Sequence, residues 1–582
     1  MRVNTIKQYL LYLALTMPLV FLGPVANAQF NLFKSAKKEQ KEKDMAARLF
    51  IEGEKHMMLE DYEKAYFYFN KAHDLTPESG AVNFKMAEIL ARANQNEKAL
   101  EHGQKAIDAD PENKYYHLLI AEVYTKQNQP EKAAEILKTL IERSDDNQQY
   151  ILELASLYLS TQQFDKALIA LDKAEEYYGV VEQLSVQKQR IYLKQNNLEA
   201  AIKEGEKLIE ANPGNSRYVL ALVEILFNNN RTDQALQMVN ASLEDYPNQP
   251  DLHLAAYTLY KKKEEYASAQ EHLFTAFKSP DLEGEVKAQT FGDIIQKDLK
   301  TKEREELLDS LQVLMTKTSP KSAPVFTILG DRAMQHQQPS KALEYYQQSI
   351  ALNPQDAKVL QGVISLMFEQ GKDFSAIEKY TVIGTEEFSQ KPEFWFFDGT
   401  AKLALKKHEA AETSLKQSLE LNDGVNKQLD LMVLGQLGDT YHALDKEELA
   451  FEAYDKVLEI SPDDEHVLNN YAYFLSLEKK DLDKALDMSS KLVKRFPDNA
   501  TYLDTHAWVL FQKKDYIDAE KYMKKALKIE ESPSGVMLEH YGDILYHTGD
   551  INGAMDYWEK AAGKKDVSDE LGKKIKDKKY YE

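Results

Sequence analysis

An all-α solenoid, built from helix-turn-helix units stacked end to end, is the fold this 582-residue chain predicts. Three observations predict it. One alanine recurs at a fixed interval along most of the chain, two amphipathic helical patterns lie within each interval, and only 23 Gly and 17 Pro interrupt a text rich in Leu, Ala, Glu and Lys. The alanine stands at Ala65, Ala99, Ala133, Ala167, Ala201, Ala235 and Ala269, every interval being 34. Pro77, Pro111, Pro213 and Pro247 each follow their alanine by 12 residues, where proline ends the second helix of a unit. The pattern resumes at Ala342, Ala376, Ala411, Ala450, Ala485, Ala519 and Ala554.

Taken in order, residues 1–28 have a secretory signal layout: Arg2 and Lys7, an apolar run over 9–22, a Gly23-Pro24 break, then Ala26-Asn27-Ala28 before Gln29. Fourteen apolar residues fall short of the roughly 20 that span a bilayer, so cleavage after Ala28 is expected rather than a membrane anchor. Residues 29–45 read as a charged linker, and 46–280 as the N-terminal array. Within a unit such as 323–355, one helix runs through Phe326, Leu329, Gly330 and Ala333, and the next through Ala342, Tyr346 and Ser349 to Pro354. Gly330 and Ala342 fall where the paired helices cross, because a larger side chain there would hold the backbones apart. Neither helix buries its stripe alone, so the units must stack. Over 281–322 the beat is lost, Ala269 and Ala342 standing 73 apart, and the segment reads as a degenerate helical pair joining two arrays. The C-terminal array occupies 323–563, with one unit lengthened by about a helical turn over 422–430, and 564–582 is a polar tail that would cap the last unit.

The pattern resembles the tetratricopeptide repeat. Gly53, Gly330, Gly399, Gly438 and Gly542 fall at its glycine, Ala65 and its equivalents at its first alanine, and Tyr124, Tyr158, Tyr192, Tyr260 and Tyr441 at its tyrosine. Phe69 falls at its phenylalanine, and Pro77, Pro354, Pro462 and Pro497 at its proline. The resemblance implies a right-handed α-superhelix of about 15 repeats with a concave groove, and a protein-protein interaction scaffold or adaptor.

Composition narrows the partners. With 73 Lys and Arg against 95 Asp and Glu the formal charge is -22, leaving no basic footprint for nucleic acid. The absence of cysteine removes disulfides, thiolate metal sites and cysteine nucleophiles, and fits export. No G-x-S-x-G, Walker loop, G-x-G-x-x-G or H-E-x-x-H occurs, so no enzyme activity, cofactor or metal is expected. His540, Asp543 and His547 share one helix face and form the only candidate metal set; an ordinary solvated face is the competing explanation.

Surface chemistry then locates candidate sites. On each first helix, the residues lying about 100° round from the core face are those that similar proteins use as their groove. In the first units they include Glu54, Glu88 and Glu122, with Glu224 further on: an acidic N-terminal groove, suited to a basic partner segment or simply an acidic protein showing its acids. In the last units they include Asn470, Phe474 and Leu477, then Asp504, Trp508 and Phe511, then Glu539, Asp543 and Tyr546. Of these, Asn470, Phe474, Asp504, Trp508, Phe511 and Tyr546 are the candidate partner-binding patch, with coverage by neighbouring repeats or the tail as the alternative. Trp395 and Trp558 fall at core positions. The Lys and Asn clamp with which some family members hold chaperone tails has no counterpart here. The expected protein is exported, periplasmic or peripheral to the outer membrane or secreted, and binds a protein or peptide partner in bacterial envelope assembly or secretion. An export holdase and a metal-dependent accessory enzyme are the alternatives.

Overall fold

A computed structural model of the chain describes residues 24–143, 145–297, 300–371 and 373–581. Residues 1–23, which carry most of the expected signal sequence, lie outside the described residues. Among the described residues there are 31 α-helices, one short 3-10 helix and no strand, 80% of the chain being helical. The fold is an α-solenoid of helix-turn-helix repeats. Its chain divides into two compact units, residues 1–276 and 277–582.

Small residues hold the paired helices close. Every recurring alanine named above except Ala376 is buried, Ala65, Ala133, Ala167 and Ala342 completely. The consensus glycines work with them: a Cβ on Gly53 would sit 2.6 Å from the Phe69 ring, and one on Gly399 would sit 2.6 Å from Leu415. Most turns between paired helices carry one residue in the left-handed region, such as Glu60 (φ 57°), Asn94 (φ 56°), Asn128 (φ 57°) and Asn230 (φ 59°). Asparagine tolerates that region best after glycine. The helix cap follows directly, as where Asp61 accepts from the Lys64 amide, and the crossing residue comes four positions after the cap.

That register corrects one assignment. In the helix Phe374–Glu387 the cap is Asp373, so the crossing residue is Ile377, fully buried, while Ala376 is only half-buried. The cap stands two positions after Gly371 (φ 58°), where Asp61 stands one position after Glu60, and this shifts the frame by one. Ile377→Val is therefore expected to lower stability by about 1 kcal/mol, and Ala376→Ser to stay within about 0.5 kcal/mol. Denaturant midpoints check the pair, and the reverse order would restore Ala376 to the crossing.

In the first unit, residues 29–45 are helical, forming part of Pro24–Met58. Their side chains from 35 to 45 are exposed apart from half-buried Glu42, and Ala46 is the first buried one. Charge pairs one turn apart, such as Lys43 Nζ to Glu39 at 2.8 Å, support such a helix without a core. Further along, fully buried Lys188 on the helix Glu182–Lys194 is surrounded by Asp172, Glu175 and Glu204.

The second unit contains the helices Gly284–Lys297 and Lys302–Thr318, where the alanine-proline frame is missing. Leu308, Leu311 and Met315, all fully buried, fill that pair instead of small residues. Lys287 is buried there too, its ammonium donating to Ser279 O (2.8 Å), Thr318 Oγ1 (2.7 Å) and Ser319 Oγ (3.0 Å). Burial holds its pKa below the usual 10.5. In the lengthened unit, Asn422 Nδ2 donates to Asn426 O (2.8 Å) and Asp430 Oδ1 (2.7 Å), which closes the added turn. The tail forms one more helix, Leu571–Asp577, and folds back on the last repeat.

Candidate functional site

The last repeats place three first helices in sequence: Glu465–Leu477, Ala500–Gln512 and Gly535–Thr548. Each starts at a side-chain cap, Asp464, Asn499 and Ser534, and each touches the next. Gly542 lets the helix Ile551–Ala562 approach so closely that the fully buried Trp558 indole occupies the space a Cβ would need. The Trp558 Nε1–H donates to Asp543 Oδ1 at 2.9 Å, which fixes the carboxylate and turns its second oxygen toward the tail.

Lys574 enters there. Its ammonium donates to Asp543 Oδ2 (2.7 Å) and Glu539 Oε1 (2.9 Å), and the three side chains are each about 5% exposed or less. The Ser568 amide donates to Glu539 Oε2 at 2.8 Å and its hydroxyl to Glu539 Oε1. Asp566 accepts from the first amide of the last first helix, Gly535 N, at 3.1 Å to each oxygen. Leu571 is buried beside them, and the Tyr580 ring stands edge-on to His547 (4.7 Å between centroids) and Phe511 (5.8 Å). Burial pushes the Asp543 carboxyl up to about 6 even though Lys574 pulls it down. Burial also raises Glu539, but hydrogen bonds from Lys574 and Ser568 outweigh that and hold it below the usual carboxylate range.

Next to this ion cluster lies an aromatic stack. Trp508 lies flat on His540, centroids 3.8 Å apart, and on Phe511 at 4.6 Å. His540 Nδ1–H donates to Asp504 Oδ1 at 3.0 Å. The Trp508 indole N–H is buried and has no hydrogen-bond partner among the described residues. Trp508 is 6% exposed and Phe511 4%, so the two aromatics expected on an open face are covered, by His540 on the adjacent first helix and by Tyr580 of the tail. Tyr546 is half-buried beside Trp558. Asn470 and Phe474 lie one helix earlier and remain half-buried: Asn470 Nδ2 donates to Asp439 Oδ1 (2.9 Å), and Phe474 stacks on His442 at 3.5 Å.

The candidate metal set does not converge. His540 pairs with Asp504, Asp543 with Trp558 and Lys574, and His547 Nδ1 with the Asp543 carbonyl at 3.0 Å. Among the described residues no three His, Cys, Asp or Glu side chains form a metal-binding group. The N-terminal acids are paired within their own stripe: Lys85 bridges Glu54 (3.4 Å) and Glu88 (3.2 Å), Arg92 reaches Glu88 (3.3 Å), and Lys126 meets Glu122 (2.6 Å).

Models of the tetratricopeptide repeat match residues 56–123, 92–151, 124–180 and 192–273, and again 433–464 and 500–533. Over these spans the chain is made of tetratricopeptide repeats. Tetratricopeptide repeat protein 21B of Xenopus laevis is 33% identical over 140 residues, 23% of this chain and 10% of that relative, so the match spans a tenth of the relative's length. A tetratricopeptide-repeat protein from Parabacteroides merdae is similar in structure at 14% identity, covering 44% of this chain and 99% of that one with a TM-score of 0.36. Yeast Tom70 is similar at 17% identity, covering 92% and 94% with a TM-score of 0.30.

In this chain of tetratricopeptide repeats, the residues of the site that periodicity alone did not single out are those the tail brings: Ser568, Lys574 and Tyr580. Their signal is faint in the text, consisting of Leu571 and Lys574 one turn apart in an otherwise polar tail. Trp395 also departs from its expected place. It is half-buried, its Nε1–H donating to Ser389 O at 2.8 Å, because its neighbour Phe394, 2% exposed, takes the core position.

Proposed function

We propose that this protein is an exported protein-protein interaction scaffold that binds a partner segment along the first helices of its last repeats, in bacterial envelope assembly or secretion. One observation carries the binding site: Asn470, Phe474, Asp504, Trp508 and Tyr546 lie on consecutive first helices, and the chain's own tail already lies against the far end of that row. The basic start, short apolar run and Ala26-Asn27-Ala28 support export, as does the lack of cysteine in a chain of 582 residues. No helix among the described residues is long and apolar enough to cross a membrane.

Two measurements test this. N-terminal sequencing of protein recovered from the envelope is expected to begin at Gln29; an intact Met1 would overturn export. Capture from solubilised envelopes should return a partner whose affinity falls about thirtyfold, roughly 2 kcal/mol, in the double variant Asn470→Ala with Phe474→Ala. Both side chains are half-buried, so circular dichroism and the denaturant midpoint of the variant are measured alongside to establish that it is folded. Unchanged affinity would remove this row of helices as the site.

A further inference from the structure

We propose that residues 564–582 act as a displaceable stand-in for the partner, and that the site they close takes a basic segment of another protein: one lysine or arginine between Glu539 and Asp543, followed six residues later by an aromatic ring. The proposal rests on the reading of the first-helix row as the partner-binding face and adds the partner's chemistry and its competitor.

Charge supplies the first argument. Glu539 and Asp543 are buried carboxylates on one helix face, 4% and 2% exposed, with Asp504 on the neighbouring helix engaged by His540. Two such groups side by side demand a cation, and the structure supplies it from outside the repeats, in Lys574. The tail that brings it holds seven lysines against five acids, in a chain whose net charge is -22. A free segment of the same character is what this acidic slot selects.

The tail is also built to leave. Its helix has seven residues, whereas isolated helices below about 12 to 15 residues are marginal in water. Only Leu571 and Lys574 of that helix are buried; Gly572, Lys573, Lys576 and Asp577 are exposed. The fit is incomplete as well. The Trp508 indole N–H, on a residue 6% exposed and stacked on His540, finds no acceptor among the described residues. A partner carbonyl or carboxylate that reached it would satisfy that donor.

The test begins with the unaltered full chain. Hydrogen exchange should find the amides of Leu571–Asp577 opening about a hundred times faster than those of Gly535–Thr548 and Ile551–Ala562. Equal protection would make the tail a permanent cap and overturn the proposal. A labelled peptide of residues 564–582 is then titrated against the wild type and against the full-chain variant Leu571→Asp with Lys574→Glu. Binding to the variant should be at least about tenfold tighter, because the wild-type site is already filled. A second peptide keeping only the counterparts of Leu571, Lys574 and Tyr580 in a Gly/Ser background should bind the same variant, and lose at least about tenfold when its lysine is methionine. A folded variant that binds none of these peptides overturns the proposal. If the variant does not fold, the exchange result on the wild type decides alone. A concentration-dependent wild-type dimer with exchanged tails would assign the slot to a second copy and overturn the partner claim. None of these readouts uses Asn470 or Phe474, so the tail proposal and the partner-binding row fail separately.

Discussion

Trp558→Ala should destabilise the last repeats by about 3 to 5 kcal/mol, one of the two largest single-residue effects anticipated for this chain. Trp558 is fully buried, and its indole fills the gap that Gly542 leaves between the paired helices. Truncation leaves a cavity bounded by backbone on one side, which cannot collapse without moving a helix. It also strips Asp543 Oδ1 of its donor while that residue stays 2% exposed, which places the cost at the upper end of the range. Trp558→Phe retains most of the ring and loses the hydrogen bond, so its expected cost is about 1 to 3 kcal/mol. Trp395→Ala is the control, since Trp395 is half-buried with a single bond to a loop carbonyl. Denaturant melts with exchange on Gly535–Thr548 as the local probe check the order. If Trp395→Ala and Trp558→Ala melt alike, burial against Gly542 is not what stabilises the end of the array.

What could be read from the sequence follows the same physics. Close backbone approach favours a small residue at the crossing, so Ala65 and its buried equivalents, with the paired glycines, were legible. The slip at Ala376 was not, because alanine alone marks the frame and the cap at Asp373 puts Ile377 in the crossing. The helical state of residues 29–45 escaped for a different reason: an exposed helix held by pairs such as Glu39 and Lys43 has no apolar stripe to announce it. At the candidate site, the helical period put Asp504, Trp508 and Phe511 on one face, but a period cannot say what covers a face. Lys574 lies 35 residues from Glu539 and 31 from Asp543, and only the docked fold brings them together.

A second large effect is anticipated in the first unit, where Lys188→Met should lower stability by about 3 kcal/mol at pH 7. The Lys188 side chain is fully buried, 2.6 Å from Asp172 and 3.3 Å from Glu204, and bonded to Glu175. Burial alone would lower its pKa, yet the hydrogen bonds to Asp172 and Glu175 and the charge of Glu204 outweigh that and raise it above 10.5. Removing the ammonium leaves Glu175 and Glu204, 15% and 10% exposed, as weakly compensated carboxylates. Lys207, 2.8 Å from Glu175 and 3.4 Å from Glu204, limits the damage and holds the estimate at the low end for a broken buried pair. Lys207→Met should itself cost about 1 kcal/mol or less, because that lysine is 38% exposed and its pairing is screened. The signs of the pH dependence follow from the two shifts. Lys188, raised in the fold, contributes fully below 10.5 and loses its contribution as pH climbs through the higher folded value. For Glu175, burial raises the pKa but Lys188 and Lys207 lower it further, so its contribution is present above 4.5 and is lost as pH falls through the lower folded value. In Lys188→Met the Glu175 carboxylate relieves its burial by taking up a proton, so the deficit against wild type should narrow as pH is lowered below 4.5. Unfolding curves of both chains between about pH 3 and pH 9 measure that gap, and a gap that is absent at pH 7, or that widens in acid, would mean Lys188 is not the charge that keeps this part of the first unit together.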